Sequence, residues 1–204
     1  MLYTNTVAER TLELLKGLMA IPELEPYYLA GGTALALQLG HRVSVDLDFF
    51  GNTEIDLSNI PVLLNELGNV TLMSQSKSVL VLNINTIKVD FVNYKYPLLF
   101  TVKKEDNIRL SDIRDISAMK LAALAGRGRK RDFYDLYFLL KAFTLNEIFG
   151  FYINKFPDGS LMQVLRSITY FEDAENDPEP VTFLHTPWEK VKEEILEEIR
   201  AQRL

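Results

Sequence analysis

Residues 31–50 read GGTALALQLGHRVSVDLDFF, and the interpretation of the whole chain begins from this stretch. It opens with Gly31, Gly32 and Thr33, small residues that form a turn and let backbone approach a ligand closely. Residues 33–39 follow as a short apolar helix that Gly40 ends. The N–H groups and the positive dipole end of such a helix can face a phosphate. The stretch therefore begins with the elements of an anion cradle.

The second half of the stretch is acidic on alternate residues. Residues 43–50 predict a strand in which Ser44, Asp46 and Asp48 share one face, because side chains alternate along a strand. Neighbouring carboxylates repel each other, and Mg²⁺ or Mn²⁺ is the usual counter-ion for oxygen ligands of this kind. A solvated sheet edge is the competing interpretation, but the apolar flanks favour a central strand. Turn, helix and acidic strand together predict a site for a nucleoside triphosphate.

The first part of the chain predicts helices around a sheet. An amphipathic helix at residues 4–20, capped by Asn5 or Thr6, precedes a short strand at 27–30. A loop from Gly51 and Asn52 leads to Ser58, which precedes a helix through Leu67. Three strands follow at 70–75, 78–84 and 86–94, and in the last of them Lys88 and Asp90 face away from the apolar side.

The second part of the chain predicts helices alone. Residues 97–107 read as a connecting loop, and the pattern is helical from Ile108 onwards. The predicted helices start at Asp115 or Ser117, at Lys130, and at three residues of the capping type, which are Thr144, Ser160 and Thr186. We therefore expect a catalytic core at residues 1–107 and a helical C-terminal region at 108–204 that completes the active site.

Together these motifs resemble a known group of enzymes. Gly-Gly-Thr followed by Asp-x-Asp resembles the first motif of the DNA polymerase β nucleotidyltransferase superfamily. The finer pattern, GGTAL followed by HRVSVDLDF, resembles the AbiEii/AbiGii-type nucleotidyltransferase toxins. The sequence IKVDF at 87–91 and the segments MKLAAL at 119–124 and RDFYDL at 131–136 support the resemblance, which covers roughly residues 28–140. It implies an α+β fold: a polymerase-β-like mixed sheet with helices, followed by a C-terminal helical region.

The resemblance also implies two sets of site residues in the core. The metal ligands would be three carboxylates for Mg²⁺ or Mn²⁺: Asp46, Asp48 and Asp90. Asp90 could also act as the base, or be a plain solvent-facing strand residue. The nucleotide-binding residues would be Gly31, Gly32, Thr33, Ser44 and Arg42. Thr33 could also cap its helix, Ser44 could support Asp46 instead, and Arg42 could equally be a surface charge.

Further site residues are expected in the helical region. Taken alone, Lys120 reads as a surface lysine whose stem packs on the protein, but the resemblance makes it a functional residue that binds a substrate phosphate. Asp132 and Asp135, three residues apart on one helix, could both simply cap the helix and offset the neighbouring arginines. The resemblance matches Asp132 to the family's functional aspartate, and we favour it over Asp135. His41 is expected to be structural, and His185 an ordinary loop residue.

Composition limits the partners. The net charge of −6 argues against a protein that coats nucleic acid, yet a local basic run could grip RNA or merely flank a helix. That run contains Arg127, Arg129, Lys130 and Arg131. The chain has no cysteine and no apolar run long enough for a membrane span, which fits a cytoplasmic protein.

These features predict a metal-dependent nucleotidyltransferase that moves a nucleoside monophosphate from an NTP to an acceptor hydroxyl, such as a tRNA 3′ end. Resemblance implies that it is a toxin of a toxin–antitoxin or abortive-infection system, with a cognate antitoxin. The alternatives are a transferase acting on a small molecule or a protein, and a nucleotide-binding module without turnover.

Overall fold

A computed structural model describes residues 1–51 and 59–202 of the chain. The described part contains eight α-helices: α1 Glu9–Ala20, α2 Gly31–Leu39, α3 Ile60–Leu63, α4 Ile113–Arg127, α5 Lys130–Leu139, α6 Leu145–Lys155, α7 Leu161–Ile168 and α8 Trp188–Ala201. It also contains seven strands: β1 Tyr28–Ala30, β2 Leu47–Gly51, β3 Val70–Gln75, β4 Val79–Ile84, β5 Ile87–Asn93, β6 Lys103–Glu105 and β7 Ile108–Leu110. The predicted loop at Asn52 and the predicted helix start at Ser58 lie outside the described residues.

The chain divides into two compact units. The first comprises Met1–Gly40, Ser44–Pro97 and Thr101–Asp112, and it contains every described strand. The second comprises His41–Val43, Leu98–Phe100 and Ile113–Leu204, and it contains helices α4 to α8. None of the helices in the described part is long and apolar enough to cross a membrane.

The first unit is built on a mixed sheet with strand order β3-β4-β5-β2-β1-β7-β6. Strand β2 lies inside the sheet, where it runs parallel to β5 and antiparallel to β1. Leu47, Phe49, Val89 and Phe91 are buried on one face, where the rings of Phe49 and Phe91 stack with centroids 5.1 Å apart. Asp48 and Asp90 point to the opposite face because side chains alternate along a strand. The predicted α+β class and the predicted central position of the acidic strand are confirmed.

The acidic strand is shorter than the sequence suggested. It begins at Leu47, so Ser44 and Asp46 lie in the segment that leads into it. Val45, expected on the apolar face, is 59% exposed. The reason is that this segment pairs elsewhere: the Ser44 N–H donates to the Thr6 carbonyl at 2.9 Å. The prediction that Ser44, Asp46 and Asp48 share one strand face is therefore wrong for the first two.

Two other element predictions in the first unit are wrong. The helical reading of residues 108–110 misses a hairpin, β6 to β7, whose turn residues Asp106 and Asn107 both have positive φ. Paired positive φ values are typical of two-residue hairpin turns. The first helix begins at Glu9 rather than at residue 4, and its N-cap is Ala8 with no side-chain hydrogen bond. Thr6 instead donates its hydroxyl to the Tyr3 carbonyl at 2.7 Å.

The second unit is a helical assembly in which α4 packs against α5, α6 and α7, and α5 packs against α8. The predicted cap at Thr144 is confirmed, because Thr144 and Glu147 form a capping box. The cap at Ser160 is confirmed as well, since its hydroxyl accepts from the Gln163 N–H at 3.2 Å. Thr186 does not cap α8, whose N-cap is Pro187. Helix α4 begins at Ile113, ahead of the predicted start at Asp115 or Ser117.

Candidate active site

The glycine turn is the first turn of helix α2, which begins at Gly31 rather than at Thr33. Gly31 has φ +65°, a conformation that glycine adopts without strain. A Cβ atom at this position would stand 2.3 Å from Oδ2 of Asp48. Glycine is therefore required here both by the backbone angle and by the closeness of the carboxylate. The structure places the predicted turn and one predicted metal ligand side by side.

Asp48 and Asp90 are brought together by strand register. They are paired positions on the parallel strands β2 and β5, and Asp48 also pairs with Ala30 of β1. Neighbouring strands are about 4.8 Å apart, so the two carboxylates lie side by side on one face of the sheet. Oδ1 of Asp90 is buried and has no hydrogen-bond partner among the described residues. Its other oxygen forms an ion pair with the ammonium of Lys88, two residues away on the same face.

Thr33 holds the segment that carries Asp46. Its fully buried hydroxyl lies 2.8 Å from the Ser44 hydroxyl and hydrogen-bonds the backbone carbonyl of Asp46. The alternative that Thr33 caps helix α2 is wrong, because the N-cap is Ala30 and no side chain caps the helix. Contact of Thr33, Ser44 or the Gly32 backbone with a nucleotide stays a prediction.

The carboxylates fit a divalent cation in part. Two in-register aspartates, a buried carboxylate oxygen without a hydrogen bond to any described residue and a close glycine backbone are the oxygen-rich surroundings that Mg²⁺ or Mn²⁺ takes. Across residues 1–51 and 59–202, however, no group of three or more histidine, cysteine, aspartate or glutamate side chains is arranged to hold a metal ion. Asp46, Asp48 and Asp90 as a set of three ligands therefore stay a prediction, and the ammonium of Lys88 supplies the positive charge beside Asp90.

In the second unit, Lys120 lies between two buried aspartates. Its ammonium is 2.8 Å from Oδ1 of Asp132 and 2.6 Å from Oδ2 of Asp135, which are neighbours on helix α5. The alternative of a surface lysine is wrong, since Lys120 is only 6% exposed. Burial lowers the pKa of Lys120, but the charges of Asp135 and Asp132 outweigh that effect and raise it. Lys120 is therefore a charged ammonium inside the protein.

Asp135 is the centre of this group, which we call the Asp135 cluster: His41, Arg42, Lys120, Asp132 and Asp135. The Arg42 guanidinium makes a bidentate pair with Asp135, in which Nε donates to Oδ1 at 2.7 Å and Nη2 donates to Oδ2 at 2.9 Å. His41 Nε2 lies 2.7 Å from the same Oδ1. Although burial alone would raise the pKa of Asp135, Arg42 and Lys120 hold it well below its ordinary value. Burial lowers the pKa of His41.

The cluster corrects two predictions and adds a partner for a third residue. Asp135 neither caps α5 nor offsets the neighbouring arginines, because its carboxylate is fully buried against His41, Arg42 and Lys120. Arg42 is not a surface charge, since it is 4% exposed; its contact with a nucleotide stays a prediction. His41 has a charged partner that sequence reasoning missed. The sequence signal that pointed to a cluster of charges was the spacing of Asp132 and Asp135, which lie three residues apart and so on the same side of one helix.

The basic run divides into exposed and buried members. Lys130 is 4% exposed and its ammonium donates to the Glu175 carbonyl at 2.9 Å, so the prediction that Lys130 contacts RNA is wrong. Arg129 pairs with Asp177 at 2.8 Å. Arg127 is exposed, although its Nε lies 3.4 Å from Oδ2 of Asp132. Arg131 is exposed on α5.

Comparisons with known proteins give the family. The chain is 36% identical over 187 residues to the uncharacterized protein aq_aa25 of Aquifex aeolicus (strain VF5), a match that covers 89% of this chain and 90% of that protein. A candidate nucleotidyltransferase from H. pylori has a similar structure, with a TM-score of 0.57 and 20% identity over 95% of each chain. MenT4, a nucleotidyltransferase toxin from Mycobacterium tuberculosis H37Rv, has a TM-score of 0.55 at 16% identity, covering 95% of this chain and 86% of its own.

These structural likenesses confirm the predicted polymerase-β-like nucleotidyltransferase fold. The family model described as "Nucleotidyl transferase AbiEii toxin, Type IV TA system" matches residues 13–202, which is most of the chain. The match confirms the predicted resemblance and extends it beyond the segment at 28–140. The chain therefore belongs to the AbiEii family of nucleotidyltransferase toxins.

Proposed function

We propose that this nucleotidyltransferase moves a nucleoside monophosphate from an NTP to an acceptor hydroxyl at the 3′ end of a tRNA. The observation that carries the proposal is the approach of Gly31 to Asp48, whose strand register pairs it with Asp90. A glycine turn opening helix α2 offers N–H groups to a triphosphate, and the adjacent carboxylates can bind a cation that offsets its charge.

The proposed ligands for Mg²⁺ or Mn²⁺ are Asp46, Asp48 and Asp90. A bound divalent ion would supply Lewis-acid stabilisation of the charge that develops on the transferring phosphoryl group. Asp48 is held in place by its central strand, and Thr33 holds the backbone of Asp46. Oδ1 of Asp90, which makes no hydrogen bond within the described part of the chain, can accept the proton of the attacking hydroxyl. That hydroxyl oxygen bonds to the α-phosphorus while the bond to the departing pyrophosphate breaks.

Lys120 is proposed to bind a substrate phosphate, with Asp132 holding its ammonium. The support is a buried lysine whose pKa is raised, so that it keeps its charge inside the protein. Nucleotidyl transfer is catalysed mainly by positioning and by charge stabilisation, and a fixed ammonium supplies both.

The exposed arginines Arg127 and Arg131 are the proposed contacts for the RNA backbone. They form a small basic patch on a chain whose net charge is −6, so we expect the protein to bind only a few phosphates of the RNA. Membership of a toxin family of type IV toxin–antitoxin systems supports a cognate antitoxin as a second partner.

The test is nucleotide transfer from labelled NTPs. Wild type and Asp48→Asn are incubated with each α-labelled NTP, Mg²⁺ or Mn²⁺, and total tRNA. The proposal predicts labelled tRNA with wild type and none with the variant. If wild type binds NTP and labels no tRNA, the tRNA acceptor is wrong.

A second acceptor class is favoured by the acidic charge of the chain, which suits a small molecule or a protein better than a long polyanion. Mass spectrometry of a cell extract treated with wild type and an NTP would find this acceptor by the added mass of a nucleoside monophosphate. The remaining alternative, nucleotide binding without turnover, predicts no product in either experiment.

A further inference from the structure

We propose that Asp135 is a positioning residue, which holds the Lys120 ammonium and the Arg42 guanidinium in the geometry that nucleotide transfer needs. The inference rests on the proposed function of Lys120 and adds a residue to which sequence reasoning gave no such role. Asp135 does not contact substrate in this proposal; it acts through Lys120 and Arg42.

The contacts of Asp135 use both of its oxygens fully. Oδ1 accepts from Arg42 Nε and from His41 Nε2, each at 2.7 Å. Oδ2 accepts from Arg42 Nη2 at 2.9 Å and lies 2.6 Å from the Lys120 ammonium. With two short contacts to each oxygen, the fully buried carboxylate is held in one position and orientation.

Charge in the cluster balances only with Asp135 present. Lys120 and Arg42 carry two positive charges, Asp132 and Asp135 carry two negative charges, and all four side chains are buried. These are the charged groups that face Lys120: the aspartates from helix α5 and the arginine from the segment His41–Val43. Removing Asp135 would leave two buried cations near a single carboxylate, and like charges would then move apart.

Arg42 also belongs to a backbone segment that is held by pairing with a distant part of the chain. It forms a β-bridge with Thr182, the Val43 N–H donates to the Val181 carbonyl at 2.8 Å, and the Phe183 N–H donates to the His41 carbonyl at 3.2 Å. Its Nη1 also donates to the Val43 carbonyl at 3.0 Å. The guanidinium of Arg42 therefore joins Asp135 to the backbone segment His41–Val43, and Lys120 shares the same carboxylate.

A lysine needs such a partner more than most side chains do. Its ammonium is a point charge on a flexible four-carbon stem, so its location depends on what it contacts. Asp132 alone offers one contact, with Oδ1, while its Oδ2 has no hydrogen bond among the described residues. Asp135 supplies the second contact that restricts the ammonium to one place.

The experiment compares Asp135→Asn and Asp135→Glu with the matched control Asp115→Asn. Asp115 is also a fully buried aspartate of the second unit, 2.6 Å from the buried Lys155, and it is outside the cluster. Two properties are measured at a temperature where each variant is folded. One is kcat/KM for nucleotide transfer, and the other is the rate of lysine acylation, assigned to individual residues by mass spectrometry.

We expect Asp135→Asn to lower kcat/KM on the order of 100-fold, because a displacement of about 1 Å has that effect on a positioned group. Its Lys120 should be acylated at least about tenfold faster than in wild type, because losing a nearby carboxylate lowers the pKa of the ammonium and removes the contact that holds it. Asp115→Asn should leave both the acylation rate of Lys120 and kcat/KM within about threefold of wild type.

Asp135→Glu separates position from charge, and it carries the test if Asp135→Asn does not fold. It keeps the negative charge but moves the carboxylate by one methylene, so acylation of Lys120 should stay near the wild-type rate while kcat/KM falls at least tenfold. Wild-type activity in Asp135→Glu would overturn the proposal, as would equal activity in Asp135→Asn and Asp115→Asn. A wild-type protein that transfers no nucleotide would contradict the proposed function, while acylation would still report whether Asp135 holds Lys120.

Discussion

Gly31→Ala tests how closely the glycine turn and the acidic strand are fitted together. The substitution adds one methyl group at a backbone angle of φ +65°, where it would stand 2.3 Å from Oδ2, 3.1 Å from Cγ and 3.2 Å from Cβ of Asp48. An ordinary contact begins at 3.4 Å, so the carboxylate must withdraw by about 1 Å. The oxygen is the far end of a rotatable side chain, and it can move without unfolding the sheet.

The expected cost to stability comes mainly from the backbone. A left-handed conformation costs an alanine about 1–2 kcal/mol, and the free energy of unfolding should fall by that amount. The expected cost to activity is larger, because a displacement of about 1 Å in a positioned group lowers the rate on the order of 100-fold.

Gly128→Ala is the matched control. Gly128 has φ +52°, and the nearest atom to an added Cβ is the Leu124 carbonyl oxygen at 3.9 Å. It should show the same loss of stability without the contact to a carboxylate. Urea unfolding and nucleotide transfer are measured for both variants. If Gly31→Ala transfers nucleotide within about threefold of Gly128→Ala, the fit between Gly31 and Asp48 has no role in the reaction.

Three further predictions concern buried charge. Burial lowers the pKa of His41 below 6.5, so the unfolded chain takes up a proton that the folded protein does not. The free energy of unfolding should therefore fall below about pH 6.5, by up to about 1.4 kcal/mol per unit, and His41→Gln should flatten this slope in urea titrations. Asp115→Asn should lower the free energy of unfolding by about 3–5 kcal/mol, because it removes the carboxylate that lies 2.6 Å from the fully buried ammonium of Lys155; adding Lys155→Met should recover part of that loss, and a still less stable double variant would contradict this prediction. Asp90→Asn should abolish any rise in Tm that Mn²⁺ and an NTP analogue produce in wild type, and an unchanged rise would exclude Asp90 as a ligand.

The sequence predicted best where a local pattern decides the structure. The alternation of apolar and polar residues correctly placed Lys88 and Asp90 on one face of β5. Gly40 was correctly predicted to end helix α2, where it has φ +67°. The same rule failed for residues 43–46, because the Val43 N–H donates to the Val181 carbonyl and the Ser44 N–H to the Thr6 carbonyl. A pairing partner that is distant in the chain leaves no periodic pattern.

For the candidate site, too, sequence patterns indicated some residues and missed others. Motif spacing predicted Asp46, Asp48 and Asp90, of which the last two are paired in register. The choice between Asp132 and Asp135 could not be made from spacing, since both lie on one helix face. What distinguishes Asp135 is its contact with His41 and Arg42, more than 90 residues earlier. The exposure of Lys130 was also misjudged, because its ammonium is covered by the Glu175 carbonyl and by the ring of Trp188, 5.2 Å away. Contacts of this kind depend on tertiary packing that a single sequence does not display.

The central claim is that Asp48, beside the glycine turn, helps to bind a divalent ion together with a nucleoside triphosphate. Binding of Mn²⁺ to wild type and to Asp48→Asn can be measured by electron paramagnetic resonance, with and without a non-hydrolysable NTP analogue. The account predicts that wild type binds Mn²⁺ when the analogue is present, and that Asp48→Asn binds it at least about tenfold more weakly, since a charged ligand is lost. Equal Mn²⁺ affinity in the two proteins would contradict it.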